Sequence, residues 1–361
     1  MALPGQQNQL VKDAIAAAKA HQPPLPVVAL LFMAGPVDPS LFDEADAVLD
    51  CLYPAETTGE ALANVLYGRR SPAGRLPFSW PTNGSDVPPV RDPWRRRRVL
   101  IALPLLLTVA RCNLQEINYT MVGRTYRYDQ RNVKWPFGFG LSYSTFSYGK
   151  AALSAQAIEA SACANVSITF DVTNIGQVKA DEVAQAYLRW NHVTPTNGVN
   201  PTLSLVDFVR IHDLAPGATA SVNLTMTPRR MAVLTPPRCG ALPFVGGKSL
   251  RGAPFRQARA ASAAECCSRC AALEQCEAFM FDPGATAAAA SCALYTAWGL
   301  EQNASSAAVV LGQPLNEWVL RQSVLEVLVG GSSASAVKVG EVRITGEEVA
   351  LIKCGLPNRR G

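Results

Sequence analysis

The sequence has little charge, few histidines and few aromatic residues. Charged residues make up 17% and aromatic residues 7% of the 361 residues, whereas hydrophobic residues make up 48%. This composition excludes a wholly disordered protein and leaves room for two or three folded domains. The three histidines, His21, His192 and His212, stand in unrelated segments without a Gly-x-Ser-x-Gly elbow. The usual signature of a serine hydrolase is therefore missing.

Long apolar runs are also missing. The apolar run at residues 99–110 has twelve residues and contains Pro104, whereas a membrane-spanning helix needs about 20. The net charge of +5 comes mainly from residues 91–116, where six arginines stand against two acidic residues and contribute +4. Because the remainder is nearly neutral, we expect neither a nucleic-acid partner nor a membrane partner.

Cofactor and targeting motifs are sparse as well. Residues 246–249 read Gly-Gly-Lys-Ser, which is the end of a phosphate-binding loop without its first glycine. We therefore expect no cofactor. Met1 leads directly into Leu3-Pro4-Gly5, which is not a secretory leader. Either the protein is cytosolic, or its true N-terminus lies upstream.

What the sequence does contain is a cluster of cysteines and several glycan-acceptor triplets. Five of the ten cysteines crowd into a short stretch: Cys266, Cys267, Cys270, Cys276 and Cys292. Asn-x-Ser/Thr triplets begin at Asn83, Asn118, Asn165, Asn223 and Asn303. Together these features favour an oxidising location, either extracellular or in the cell wall.

Residues 1–90 have the pattern of an α/β domain. Residues 8–20 have helical spacing that predicts an inward face of Leu10, Ile15 and Ala18. Residues 27–33 form an apolar run typical of a buried parallel strand, and residues 47–52 form a second, short strand. A further helix begins behind Thr57-Thr58-Gly59 and ends at Gly68.

The carboxylates of this region are candidates for acid–base chemistry: Asp38, Asp43, Glu44, Asp46, Glu56 and Glu60. We expect Asp43, Glu44 and Asp46 to be solvated. Glu56 and Glu60 lie near a helix start, where the helix dipole favours negative charge. No catalytic residue is assigned.

From residue 165 the hydrophobic period changes to two. Val166, Ile168, Phe170 and Val172 alternate with polar residues, and the same spacing recurs at residues 184–188 and 222–226. Short alternating strands between turns predict a β-sandwich. We place it at residues 151–238 and 319–354, interrupted by residues 239–318.

The interruption carries the cysteine cluster. Cys267-Ser-Arg-Cys270 supplies one CxxC pair, but no second pair or histidine follows, so disulfides are favoured over a metal site. The stretch SAAECCSRCAALEQCEAFMFD followed by SCALYTAW resembles a PAN/apple module, a small disulfide-held domain that binds proteins or carbohydrates elsewhere. The resemblance implies bridges between Cys270 and Cys276, and between Cys292 and either Cys266 or Cys267.

Several separated segments resemble the C-terminal part of family 3 glycoside hydrolases, the β-glucosidases and β-xylosidases. They are LPGQQNQLV, VVALLFMAGPVD, AVLDCLYPAE, ALANVLYGRRSPAGRLP and the domain link NYTMVGRTYRY to PFGFGLSYSTFSYG. VSITFDVTNIGQVKADEVAQAYLRW resembles the fibronectin type III-like domain that closes these enzymes. The expected fold is a truncated α/β sandwich domain plus an all-β fibronectin type III-like sandwich with a small disulfide-rich insert.

The family resemblance implies a retaining hydrolase of terminal β-linked sugars in xylan, arabinoxylan or β-glucan oligosaccharides. The nucleophilic Asp of the family belongs to an N-terminal barrel domain, and the acid/base Glu of the β-xylosidase-like members lies shortly before the LPG-like segment. Both would lie upstream of Met1, so we expect the chain to be inactive alone and to have the missing barrel and an oligosaccharide as partners. Arg124 and Tyr126 are the candidate sugar contacts. The alternative is a secreted, non-catalytic module that binds glycans or proteins.

Residues 91–116 are an anomalous basic and apolar insertion, since family members pass almost directly to the link at residues 117–150. Two interpretations remain open. The insertion is either a translated intron or misjoined exon, or a surface loop with a hydrophobic tuck.

Overall fold

The structure is a computed structural model. It describes residues 3–83, 125–128, 133–190, 201–234, 249–250, 254, 256–260, 262–271, 273, 276, 278–282, 291–295, 300–301, 310–312 and 318–356. These fall into two compact units. The first contains the described residues up to 83, between 125 and 231, and between 321 and 347. The second contains the described residues between 232 and 320 and from 348 onward.

Strands outnumber helices in the described residues. The helices are α1 (Gln7–Ala20), α2 (Thr58–Leu66), α3 (Thr125–Tyr128), α4 (Pro228–Met231) and α5 (Ala263–Ala271). The strands are β1 (Val28–Leu31), β2 (Ala47–Asp50), β3 (Trp80–Pro81), β4 (Val133–Trp135), β5 (Phe146–Tyr148), β6 (Ala152–Leu153), β7 (Ala157–Glu159), β8 (Val166–Asn174), β9 (Ala180–Trp190), β10 (Leu203–Leu214), β11 (Thr219–Met226), β12 (Val233–Leu234), β13 (Ser249–Leu250), β14 (Arg256–Ala258), β15 (Ala278–Asp282), β16 (Ser291–Tyr295), β17 (Leu300–Glu301), β18 (Val310–Gly312), β19 (Trp318–Leu320), β20 (Ser323–Gly330), β21 (Val337–Thr345) and β22 (Val349–Ala350).

The first unit begins with a small α/β region. Strands β1 and β2 pair in parallel, with Val28 opposite Ala47, so the two predicted strands are present and the first is parallel. The predicted burial of the first strand is wrong, because only Leu31 of β1 is buried. Helix α1 buries Ile15, but Leu10 is 67% exposed and its predicted inward position is wrong. The inward stripe runs through Val11 and Ile15, which are four residues apart. Leu10 lies about 100° away from Val11 around the helix.

A compact core supports this region. It consists of Leu31, Leu41, Phe42 and Trp80. The indole Nε1 of Trp80 donates to the carbonyl of Val37 at 2.8 Å. Its ring meets Trp135 edge-on at a centroid distance of 5.0 Å, and β3 pairs with β4. Trp80 is 1% exposed. Its indole N–H nevertheless has a hydrogen-bond partner, as a buried tryptophan usually does.

Two larger sheets complete the first unit. One has the strand order β10-β9-β20-β21-β7, and it is antiparallel except where β21 meets β7. The other has the order β11-β8-β5, and β6 also pairs with β8. In β8 every second residue from Val166 to Asn174 is buried, which confirms the predicted period of two. The two sheets contact each other where the hydroxyl of Tyr148 donates to Glu182 at 2.7 Å.

The second unit is held by sheets and disulfides. Strands β14, β16, β15 and β18 form one sheet, and β12, β19 and β22 form another. The structure contains the disulfides Cys266–Cys292 and Cys270–Cys276. These four cysteines pack with Phe279, Phe281 and Leu294 in one buried cluster. Cys267 and Cys354 are also disulfide-bonded.

Helix length bears on membrane insertion. In the stretches that the structure describes, no helix combines the length and the apolar character that crossing a bilayer requires.

Candidate functional site

The carboxyl ends of β1 and β2 are the first place to look for a site, because ligands of parallel sheets bind beyond these ends. Strand β2 ends at Asp50, and Leu52 follows with a φ of 50°, a left-handed conformation that leucine seldom adopts. The Leu52 N–H donates to Asp50 Oδ1 at 3.1 Å. Asp50 Oδ2 is buried and accepts no hydrogen bond within the described structure. Burial raises the pKa of the Asp50 carboxyl, although its hydrogen bond from Leu52 acts against this.

Cys51 lies beside Asp50. Its thiol is half-buried and free. Burial, and then the neighbouring Asp50 charge, raise the pKa of this thiol. A raised pKa keeps the thiol protonated and makes it a poor nucleophile.

The six carboxylates singled out from the sequence do not converge on this edge. Asp38 caps a 3-10 turn by accepting from the Ser40 N–H at 3.1 Å, and bonds from Ser40 lower its pKa. Asp43 pairs with Lys134 at 2.6 Å, and both side chains are exposed.

Asp46 has two partners. Lys19 lies 2.8 Å away, and the Val27 N–H donates to it at 2.7 Å. The bond to Lys19 is the main reason why the pKa of Asp46 is lowered. Glu44, Glu56 and Glu60 are exposed. Asp50 is not among the six carboxylates singled out from the sequence, although it ends an apolar strand and this pattern can be recognised in the sequence.

Tyr126 lies in an aromatic cluster. Its ring stacks on Phe137 at a centroid distance of 3.9 Å and meets Tyr187 nearly edge-on at 6.2 Å. Its hydroxyl oxygen accepts from the Leu205 N–H at 3.0 Å. Tyr126 itself is half-buried. Arg124, the other candidate sugar contact, lies outside the described residues.

A buried polar network joins the glycine-rich exit of the α/β region to strand β9. Arg75 Nη2 lies 2.6 Å from Glu182 Oε2, and the exposed fractions of the two side chains are 11% and 4%. Arg75 Nη1 donates to the Gly140 carbonyl at 2.8 Å. Tyr148 donates to the other oxygen of Glu182, and burial followed by the Glu182 charge raises the pKa of Tyr148. The sequence did not reveal this network.

The two most distinctive segments of the sequence meet at this network. The Leu76 N–H donates to the Phe139 carbonyl, and the Gly138 N–H donates to the Leu76 carbonyl, both at 2.8 Å. A Cβ on Gly140 would lie 2.1 Å from the carbonyl oxygen of Gly74. Only glycine allows that approach, so the segments SPAGRLP and PFGFG fit each other through their glycines.

Metal binding has no support in this arrangement. Within the described ranges, no group of three or more His, Cys, Asp or Glu side chains is placed to hold a metal ion. The cysteines at residues 266, 270, 276 and 292 are paired as disulfides.

Two families match parts of the sequence. Residues 1–143 match the glycosyl hydrolase family 3 C-terminal domain, and residues 242–308 match the PAN domain. A β-glucosidase of Rhizobium radiobacter is 33% identical over 235 residues, which are 64% of this chain and 26% of that protein. A β-xylosidase of Formosa agariphila is 30% identical over 224 residues, which are 62% of this chain and 26% of that protein. The chain thus spans about a quarter of the length of these relatives.

Solved structures show a similar fold. β-Glucosidase 3B of Thermotoga neapolitana superposes with a TM-score of 0.58 at 21% identity, covering 96% of this chain and 35% of that one. A β-glucosidase of Kluyveromyces marxianus gives a TM-score of 0.56 at 21% identity, covering 96% of this chain and 29% of that one. At this identity the likeness concerns the fold alone.

Proposed function

We infer that this chain serves as a scaffold in the hydrolysis of terminal β-linked sugars. The inference rests on two matches: residues 1–143 match the C-terminal domain of family 3 glycoside hydrolases, and residues 242–308 match the PAN domain. The proposed substrates are xylan, arabinoxylan or β-glucan oligosaccharides, and the proposed mechanism is retaining. Relatives named β-glucosidase and β-xylosidase support the reaction class.

The placement of the carboxylates supports a non-catalytic role for this chain alone. Retaining hydrolysis needs two carboxyl groups about 5 to 5.5 Å apart, one as nucleophile and one as acid/base. Asp38, Asp43 and Asp46 are each engaged in local structure. Asp50 has a buried oxygen without a hydrogen-bond partner in the described structure. We propose that both catalytic carboxylates belong to protein outside this chain.

Assay of the purified chain on aryl β-xylosides and β-glucosides tests this proposal. We expect no hydrolysis above that of a heat-denatured sample. The matched variant is Asp50→Asn, which keeps the side chain's size. Turnover in the wild type that Asp50→Asn abolishes would overturn the proposal and identify Asp50 as catalytic.

The proposed partner is the barrel domain that the family resemblance implies. It is supported by five apolar residues of the α/β region that are 37% to 79% exposed: Phe32, Leu52, Tyr53, Leu66 and Tyr67. Such exposure is expected where a parallel sheet lacks layers that would cover its faces. We expect the isolated chain to associate at micromolar concentration. A monomer that melts cooperatively in light scattering and calorimetry would contradict this expectation.

The fibronectin type III-like assignment and the domain borders at residues 90, 116, 150, 238 and 318 are further proposals. Two facing sheets with alternating burial support the assignment to a sandwich. Limited proteolysis with mass mapping tests the borders. We expect the first cleavages within a few residues of them, and cleavage confined to other positions would contradict them.

Arg124 and Tyr126 are the proposed sugar contacts. Tyr126 is half-buried, and Phe137 covers one face of its ring, so a sugar would contact the part that Phe137 leaves uncovered. If this is right, Arg124→Ala weakens retardation on xylan in affinity electrophoresis, whereas Lys338→Ala, at an exposed position on β21, does not. Equal mobility of both variants with the wild type would remove the assignment.

A binding module without a hydrolytic partner is the second candidate, and the PAN match favours it. The disulfide-held sheet beneath helix α5 gives a rigid surface for carbohydrate or protein. Retardation on xylan or cellulose that persists when no hydrolysis occurs supports this candidate. An extracellular or cell-wall location is proposed with it.

A further inference from the structure

The sheet formed by β11, β8, β5 and β6 presents an outer face of small, mostly polar side chains. Strand β11 lies at its edge beside β8. Buried apolar side chains of both strands point inward. The residues that point outward from β5, β8 and β11 are all small and polar: Ser147, Ser167, Thr169, Asp171, Thr173, Thr219, Ser221, Asn223 and Thr225. A face without one large apolar side chain is built to remain in water.

Two glycan-acceptor triplets are found at these strands. Asn223-Leu224-Thr225 lies on β11, where Asn223 is exposed and stands opposite Thr169 on the outer face. Asn165-Val166-Ser167 leads into β8, and Asn165, which directly precedes the strand, is exposed as well. Both acceptor side chains are therefore accessible.

The disulfides supply an independent observation. Stable disulfides such as Cys266–Cys292 and Cys270–Cys276 form where the compartment is oxidising. In eukaryotes that compartment also holds the enzyme that glycosylates Asn-x-Ser/Thr triplets. Exposed triplets and disulfides in one chain thus point to the same route through the cell.

We propose that Asn223 and Asn165 are N-glycosylated. In the reaction, the Asn Nδ2 forms a bond to the anomeric carbon of a lipid-diphosphate-linked oligosaccharide. The bond between that carbon and the diphosphate oxygen breaks, the lipid diphosphate leaves, and the amide gives up one proton. No oxidant or reductant is needed.

The position of Asn223 gives its glycan a physical role. The edge of β11 is already contacted by β10, because the Thr225 N–H donates to Asp207 Oδ2 at 2.8 Å. The Asn223 side chain points outward from the sheet. A bulky, solvated glycan attached to it therefore covers the outer face and keeps other proteins from docking there.

Peptide mapping of the protein from its natural source tests the proposal. After treatment with peptide N-glycosidase in heavy water, we expect Asn223 and Asn165 to appear as aspartate carrying the oxygen label. Unmodified asparagine at both positions, with full peptide coverage, would overturn the proposal.

Variants assign the sites. When the full chain is directed into the secretory pathway of a eukaryotic host by a cleavable leader, we expect Asn223→Gln and Thr225→Val each to remove the same single glycan from the intact mass. The matched control is Ser221→Ala, which changes the same face without touching a triplet and should leave the mass of the glycans unchanged. Cell-free translation in the presence of microsomes detects glycosylation even if a variant folds poorly. Equal glycan mass in Asn223→Gln and wild type would exclude Asn223.

Discussion

The α/β region at residues 3–83 and the two large sheets bury their apolar side chains to very different degrees. In the sheets, Ile168, Leu188, Leu325 and Val342 are fully buried. In the α/β region, helix α2 has no buried residue. Eight of the fifteen large hydrophobic side chains exposed in the described structure belong to this region: Leu10, Leu25, Val28, Phe32, Leu52, Tyr53, Leu66 and Tyr67.

The difference follows from how many layers each region has. Each large sheet has its apolar face covered by the other, and this removes alternate side chains from water. The α/β region has only β1 and β2 in its sheet, and a parallel sheet is stable when helices cover both faces. Both regions have apolar patterns in the sequence. Only the two large sheets have their apolar faces covered within the described chain.

The variant with the largest expected effect removes the buried ion pair between Arg75 of the α/β region and Glu182 of strand β9. Arg75→Ala is expected to lower the free energy of unfolding by about 3 to 5 kcal/mol, because it leaves the Glu182 carboxylate buried without its cation. Urea denaturation of the variant and wild type measures the loss. The double variant Arg75→Met with Glu182→Gln should recover much of it.

The exposed pair of Lys134 and Asp43 serves as the control for this link. Lys134→Ala should cost less than about 1 kcal/mol, since both groups are solvated. If Arg75→Ala cost no more than Lys134→Ala, the two regions would not depend on the buried ion pair.

A matched pair of leucine substitutions sharpens the comparison. Leu224 is 2% exposed on β11, whereas Leu66 is 44% exposed at the end of α2. We expect Leu224→Ala to cost about 2 to 5 kcal/mol, because it leaves a cavity. Leu66→Ala should cost less than about 1 kcal/mol. Similar losses in thermal denaturation would show that Leu66 is covered in solution, most directly by self-association.

The smallest expected effect is a dependence on pH at Asp50. Burial raises the pKa of this carboxyl in the folded state, so its contribution to stability is present at low pH and declines as the pH rises through the raised pKa. Asp50→Asn should therefore stabilise the protein near pH 7 by at most about 1 kcal/mol, because the carboxyl is partly solvated. The difference from wild type should disappear at pH 3.

Asp46→Asn is the control of opposite sign. The bond to Lys19 lowers the pKa of Asp46, so this carboxylate stabilises the fold at neutral pH and loses that effect as the pH falls through the lowered pKa. Melting temperatures between pH 3 and pH 8 distinguish the two variants. If Asp50→Asn also destabilised the protein at pH 7, the direction given for the pKa of Asp50 would be wrong.

Local patterns in the sequence predicted the parts of the fold that depend on neighbouring residues. The alternation in β8 follows from Val166 to Val172 alone, and the structure confirms it. The sequence also indicated the two strands β1 and β2, but their pairing became visible only in the structure. Helix spacing was less decisive, because Leu10 and Ile15 both fit an inward face until the partner surface selected one stripe.

Contacts between distant segments were not predictable in this way. Arg75 and Glu182 are 107 residues apart, and neither stands in a pattern that names the other. The sequence shows Tyr126 as an aromatic residue of the domain link. It does not show that the ring stacks on Phe137, because this contact depends on the path of the chain after β4. Asp50 did give a local signal, because it is an acidic residue at the end of the apolar strand β2.

The pairing of β12 with β19 has a consequence for how this chain came to be assembled. Val233 lies opposite Val319, and Leu234 lies opposite Trp318, so the chain leaves and returns at adjacent points. Antiparallel partners are only about 5 Å apart. A turn of two to five residues spans that distance, and the entropy of closing a loop grows only slowly with its length. A single insertion or deletion could therefore add or remove residues 235–317 while β12 and β19 keep their register.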